Sequence, residues 1–106
     1  MKDKLLEKLS NTPLYELDKM RDELQIDLKN ILHDLYIAKD EELTQKHNKR
    51  RKLLGEGNSF SKVENMLRSD EELYLLKKKV LALSDRKKQT LIQYNLVNDY
   101  YWKARR

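Results

Sequence analysis

Residues 46–61 read KHNKRRKLLGEGNSFS, a run of positive charge that leads into the only two glycines of the chain. Five of the first seven residues in this stretch are Lys or Arg. Glycine and asparagine readily adopt the backbone conformations that end helices and form turns. We therefore expect a long helix to end near residue 53, and the chain to break there before a second helix begins.

Before this break, apolar residues recur every three or four positions, which is the period of one helix face. Thr12 is suited to cap the start of that helix, and Pro13 to occupy its first position, where the missing amide hydrogen costs nothing. The pattern predicts a long helix over 13–53 and a short amphipathic helix over 2–10. The apolar stripe of the long helix consists of Leu14, Leu17, Leu24, Leu28, Ile31, Leu35 and Ala38, with Arg21 as its one polar interruption.

Beyond the glycines, helix signals resume at two possible capping boxes, Ser61 with Glu64 and Ser69 with Glu72. These signals predict, in order, a break over 54–61, a helical turn over 62–68 and a long helix over 70–104. The last helix carries its own apolar stripe, which lapses over 84–90 and consists of Leu73, Leu76, Val80, Leu83, Leu91, Tyr94, Val97 and Tyr101.

Two long helices separated by a short break favour an all-α fold, a long antiparallel hairpin of coiled-coil type in a single domain, residues 1–106. A turn centred near residue 57 pairs positions equidistant from it, such as Leu17 with Val97. Two helices alone leave apolar surface uncovered. We expect the short first helix to cover part of it and self-association to cover the rest, in an oligomer.

The charge is distributed unevenly along the chain. Residues 1–43 carry 7 basic and 11 acidic groups, whereas residues 44–106 carry 16 and 7. This asymmetry favours an acidic partner or a polyanion that meets one region of the surface. Without cysteine the chain forms no disulfide, and no apolar run approaches the roughly 20 residues that span a bilayer. We expect a cytoplasmic protein that does not enter membranes.

No constellation of residues indicates catalysis, a metal or a cofactor, so we expect a protein that is not an enzyme. His33 and His47 are separated by 14 positions, which is about 21 Å along a helix and too far for one metal ion. Gly55 and Gly57 do not form a phosphate-binding loop, because the Lys-Ser/Thr of that motif and a preceding strand are both missing.

Two clusters of positive charge are candidates for binding nucleic acid. The first is the basic segment, residues 46–52, together with Lys62; its members could neutralise phosphates, or they could simply offset the helix dipole. The second is the aromatic-basic terminus, residues 100–106, whose rings could stack on bases or finish the apolar stripe. The candidate residues are Lys46, Lys49, Arg50, Arg51, Lys52, Lys62, Trp102, Lys103, Arg105 and Arg106.

A second hypothesis treats the chain as a helical adaptor or inhibitor that docks on another protein. Leu32, Tyr36 and Leu43 lie beside the main apolar stripe of the first long helix, where the hairpin partner does not cover them. In this hypothesis the charges serve solubility and orientation.

The order of these segments resembles the UvsY family of phage recombination mediators. The similarity covers about residues 45–106: a helix ending in a basic run, a glycine-bearing break with Phe60-Ser61, then the stretch 66–73, MLRSDEEL, before the last helix. The resemblance implies a non-enzymatic oligomer that binds single-stranded DNA and helps to load a recombinase in the cytoplasm of a bacterial host. It places the DNA-binding positions at Lys49, Arg50, Arg51 and Lys52.

Overall fold

The structure, a computed structural model, describes residues 2–106, with side chains from Lys4 onwards. In this part of the chain it contains no strand and four α-helices: α1 (Lys2–Ser10), α2 (Leu14–Gly55), α3 (Phe60–Arg68) and α4 (Glu71–Arg105). The all-α class is confirmed. Each observed boundary lies within two residues of the predicted one, and none of these helices has the length and apolar content of a membrane span.

The helices form two compact units. The first unit comprises the chain up to Leu32 together with Arg86–Arg106, so it contains α1, the start of α2 and the end of α4. Its buried cluster takes one residue from each helix: Leu9, Leu17 and Val97. Leu9 lies on the short helix, which confirms that α1 covers part of the apolar surface of α2.

The second unit, His33–Asp85, contains the end of α2, all of α3 and the start of α4. Its buried cluster is formed by Val63 and Leu67 of α3 with Leu73 of α4, and Leu53 of α2 packs against it. Val63 has no exposed surface. Helix α3, predicted only as a helical turn, therefore supplies most of the core that joins α2 to α4 in this unit.

Within each unit α2 and α4 run antiparallel, and Leu17 shares a buried cluster with Val97, its predicted partner, although two polar contacts depart from the predicted register. Gln25 donates to the hydroxyl of Tyr94 at 3.0 Å in the first unit, and Lys49 donates to Asp70 at 2.8 Å in the second. Pairing about residue 57 would have placed Gln89 and Asn65 at these positions, so both observed partners lie five residues later.

The predicted helix caps were wrong in detail. The Thr12 hydroxyl donates back to the carbonyl of Lys8 at the end of α1, and the carbonyl of Pro13 accepts the first amide bond of α2. Helix α3 is capped by Ser59, whose hydroxyl accepts from the Lys62 amide, and α4 by Asp70, which accepts from the Leu73 amide. The predicted caps Ser61 and Ser69 cap neither helix. Ser61 lies inside α3, and the Ser69 hydroxyl donates to carbonyls at the end of α3.

The apolar stripe of α2 is largely as predicted, because Leu17, Ile31, Leu35 and Ala38 are all buried. Its first member, Leu14, is exposed. In α4 the predicted resumption at Leu91 was wrong, since this side chain is exposed while Lys87 and Thr90 are half-buried. The spacing of three and four residues continues through these two polar positions, and their aliphatic parts replace apolar side chains there.

Candidate nucleic-acid interface

The basic segment is at the end of α2, in the second unit, where α3 and α4 bring carboxylates to it. Lys49 Nζ lies 2.8 Å from one oxygen of Asp70 and 2.9 Å from Glu72 Oε2. The side chains of Lys49 and Asp70 are each about one quarter exposed. The Asp70 carboxylate also accepts the Leu73 amide, so one acidic group caps α4 and ties it to α2.

These contacts shift the ionisation of both partners in the direction that strengthens the pair. The hydrogen bonds from Lys49 to Asp70 and Glu72 raise the pKa of Lys49. The hydrogen bond from Lys49, followed by that from the Leu73 amide, lowers the pKa of Asp70. Both groups are therefore charged throughout the neutral range, and the bond between α2 and α4 persists there.

Arg50 is bound in a similar way, because its Nε lies 2.8 Å from Glu64 Oε1 of α3. Both side chains are about one third exposed or less. Two neighbouring cations of the predicted site, Lys49 and Arg50, thus hold the junction of three helices together. Sequence reasoning assigned them to phosphate contact, although the acidic residues around position 70 were a signal that pairing was possible.

The remaining cations of the basic segment, together with Lys62, have different surroundings. Lys46, Arg51, Lys52 and Lys62 are exposed, and none has a carboxylate at ion-pair distance within residues 4–106. Successive helical residues are rotated by about 100°, so Arg51 and Lys52 project in different directions from the end of α2. The arrangement can hold an anion that curves around a helix end.

The aromatic-basic terminus lies in the first unit and is partly used by the fold. Tyr101 packs against the buried cluster of Leu9, Leu17 and Val97, and Arg21 lies 4.1 Å above its ring. Tyr101 therefore finishes the apolar stripe, as one of the two sequence hypotheses proposed.

Trp102 contacts Tyr101 edge to face, with ring centroids 5.3 Å apart, and remains 46% exposed. Arg105 lies 5.4 Å from the Trp102 ring and donates to the Tyr101 hydroxyl at 3.3 Å, and Lys103 lies 5.3 Å from the Tyr100 ring. Arg106, also a candidate, is exposed. Of the aromatic rings in this terminus, Trp102 offers the most accessible surface for stacking.

The residues predicted to bind a protein partner are all at the surface. Leu32 is 47%, Tyr36 is 73% and Leu43 is 67% exposed. The contacts within each unit leave these three side chains uncovered, as expected for a hairpin of two long helices.

Sequence reasoning missed a groove in the second unit, which is lined by residues of α2, α3 and α4 and includes Lys46 and Tyr74. No local pattern could reveal it, since its walls meet only once the helices have packed. Among residues 4–106, no three His, Asp or Glu side chains gather into a group that could hold a metal ion. No family model, curated protein or solved structure matches this chain.

Proposed function

We propose that this protein is a non-enzymatic accessory factor that binds single-stranded nucleic acid, with single-stranded DNA favoured, and acts as a recombination mediator of the phage type. The observation that supports the proposal most directly is a set of exposed cations on α2 and α3 that have no carboxylate partner among the side chains of residues 4–106: Lys46, Arg51, Lys52 and Lys62. Offsetting the dipole of one helix end requires fewer charges than this.

The directions of these cations favour a single strand over a duplex. Arg51 and Lys52 leave the backbone about 100° apart around the end of α2, so a polyanion that follows this end of the helix can contact both. Duplex DNA resists bending over a persistence length of about 150 base pairs, whereas a single strand can follow a helix end. The ion pairs of Lys49 and Arg50 support the site indirectly by fixing α3 and α4 against the helix that carries it.

A salt titration of binding tests the proposal, with fluorescence anisotropy of a labelled oligothymidine as the readout. These four cations alone give a logarithmic salt slope of about −2.8 on a single strand, so affinity should fall at least about 50-fold between 50 and 200 mM salt. Replacing Arg51 and Lys52 by alanine should make the slope shallower by about 1.4, so the fall in affinity over the same range should be about sevenfold smaller. The matched control, Lys78→Ala with Lys79→Ala, removes the same charge from an exposed part of α4.

Two results would exclude this function. One is a binding affinity that does not change with salt concentration. The other is a variant with both Arg51 and Lys52 replaced that binds the strand as tightly as the unchanged protein does. If the control variant weakens binding as much as the Arg51 and Lys52 variant, the contact is spread over the basic surface and the assigned site is wrong.

A second candidate function, a helical protein–protein adaptor or inhibitor, is favoured by the exposure of Tyr36 and Leu43 on α2. The same surface would serve self-association. Leu43→Glu should then lower the solution mass measured by sedimentation velocity, whereas Thr44→Glu, at the neighbouring exposed position, should not. An unchanged solution mass for Leu43→Glu would exclude self-association through this surface.

A further inference from the structure

A groove of about 390 Å³ lies in the second unit, between α2, α3 and α4. Its floor is apolar, because Leu67 and Leu73 line it and are only 5% and 8% exposed. Tyr74 also lines the groove and keeps 61% of its surface exposed. The phenol ring is therefore accessible to a ligand that enters from solvent.

Cations from all three helices surround this floor: Lys46 of α2, Arg68 of α3 and Lys77 of α4. Each is exposed and has no carboxylate at ion-pair distance among the described side chains. Two acidic residues also line the groove. Glu64 is already bound by Arg50, whereas Glu42 has no ion pair with a described side chain.

We propose that this groove seats one base of a bound single strand, which stacks on Tyr74 while Lys46, Arg68 and Lys77 contact the flanking phosphates. The inference rests on the proposed function and adds to it a site for the base, which the basic segment alone lacks. Stacking of a base on an aromatic ring beside backbone-neutralising cations is how proteins hold single strands without reading their sequence.

The size and charge of the groove favour this occupant over a protein segment. Its volume lies near the lower end of the roughly 300–1,000 Å³ typical of small-ligand sites, which suits one nucleotide. A docked amphipathic helix needs apolar contacts at i, i+3 or i+4 and i+7, spread over about 10 Å. The apolar floor formed by Leu67 and Leu73 is too small for that, and the ring of three cations favours phosphates.

The test compares two ligands of equal length, an oligothymidine and an abasic strand that has the same phosphates but no bases. Tyr74→Ala should lose at least about fivefold in affinity for oligothymidine, and should leave binding of the abasic strand unchanged. Tyr74→Phe keeps the stacking ring and should bind as the unchanged protein does. Tyr15→Ala, which removes an equally accessible tyrosine in the first unit, is the control and should have no effect.

A second variant tests the groove by a gain of affinity. Glu42→Gln removes the unpaired acid of the lining and should strengthen binding of oligothymidine more than Glu41→Gln, which makes the same charge change at the neighbouring exposed position. Equal effects of the two glutamine variants would contradict a contact in the groove.

The outcomes separate this inference from the function on which it rests. If the protein binds both strands equally and Tyr74→Ala changes neither, the base site is wrong and the basic segment remains a phosphate site. If neither strand binds, the proposed function falls and the base site with it. If Tyr74→Ala weakened binding of an acidic peptide but did not change binding of oligothymidine, the inference would be overturned in favour of a protein ligand.

Discussion

Replacing Arg21 with methionine is expected to stabilise the protein, although it removes a cation that contacts two aromatic rings. The guanidinium carbon lies 4.1 Å from the centre of the Tyr101 ring and 5.8 Å from that of Trp102. Its Nε and Nη1 atoms are buried, and neither has a hydrogen-bond acceptor among the described residues. The position therefore combines two cation–π contacts with two donor atoms that have lost water without gaining an acceptor among the described residues.

The magnitudes decide which effect is larger. A buried donor without an acceptor costs about 1–3 kcal/mol, so the two donors together cost about 2–6 kcal/mol. The close cation–π contact with Tyr101 contributes about 2 kcal/mol, and the longer one with the partly exposed Trp102 adds about 0.5–1 kcal/mol. Methionine removes both the unpaired donors and the cation–π interactions, and its unbranched side chain can still pack beside Tyr101. We expect the free energy of unfolding to rise by about 1 kcal/mol, which corresponds to about 4–8 °C in the unfolding midpoint of a domain of this size.

Urea and thermal unfolding, followed by circular dichroism, measure this change. The matched control is Arg105→Met, which makes the same substitution at an exposed arginine 5.4 Å from the Trp102 ring. It should change stability by no more than about 0.5 kcal/mol. A loss of about 1 kcal/mol or more in the Arg21 variant would refute the reasoning, because it would show that the cation–π contacts outweigh two unpaired donors.

Three further predictions concern the second unit. Because the pKa of Asp70 is lowered in the folded protein, its charged form stabilises the fold above the ordinary carboxyl pKa of about 4, and this contribution is lost as the pH falls through the lowered value. Asp70→Asn should therefore weaken the dependence of unfolding free energy on pH in acid; an unaltered dependence would contradict the assigned pairing. Leu67→Ala should cost about 2–5 kcal/mol in urea unfolding, since a buried leucine leaves a cavity. Ser59→Ala should cost about 1 kcal/mol as the loss of a helix cap, whereas Ser61→Ala should cost much less; the reverse order would restore the predicted capping box.

The helices could be predicted from the sequence because their signal is local. The spacing of Leu17, Ile31, Leu35 and Ala38 fixes one face of α2 without reference to any other part of the chain. The caps were harder, since serines and acids occur close together on both sides of α3 and only the folded backbone selects Ser59 and Asp70. The polar contacts between α2 and α4, such as that of Gln25 with Tyr94, could not be derived, because no local pattern determines which long side chains meet.

The pairing of cations in the candidate site could not be predicted from the sequence either, and this affects how its function should be tested. Counting charges finds the basic segment but cannot tell which cations are already paired, because the partners come from helices that begin after the break. Lys49 holds the residue that caps α4, and Arg50 holds α3. Replacing residues 49–52 together by alanine would therefore disturb the junction of three helices and remove phosphate contacts at once. Changes at Arg51 and Lys52, which form no ion pair with any described residue, can separate loss of binding from loss of structure.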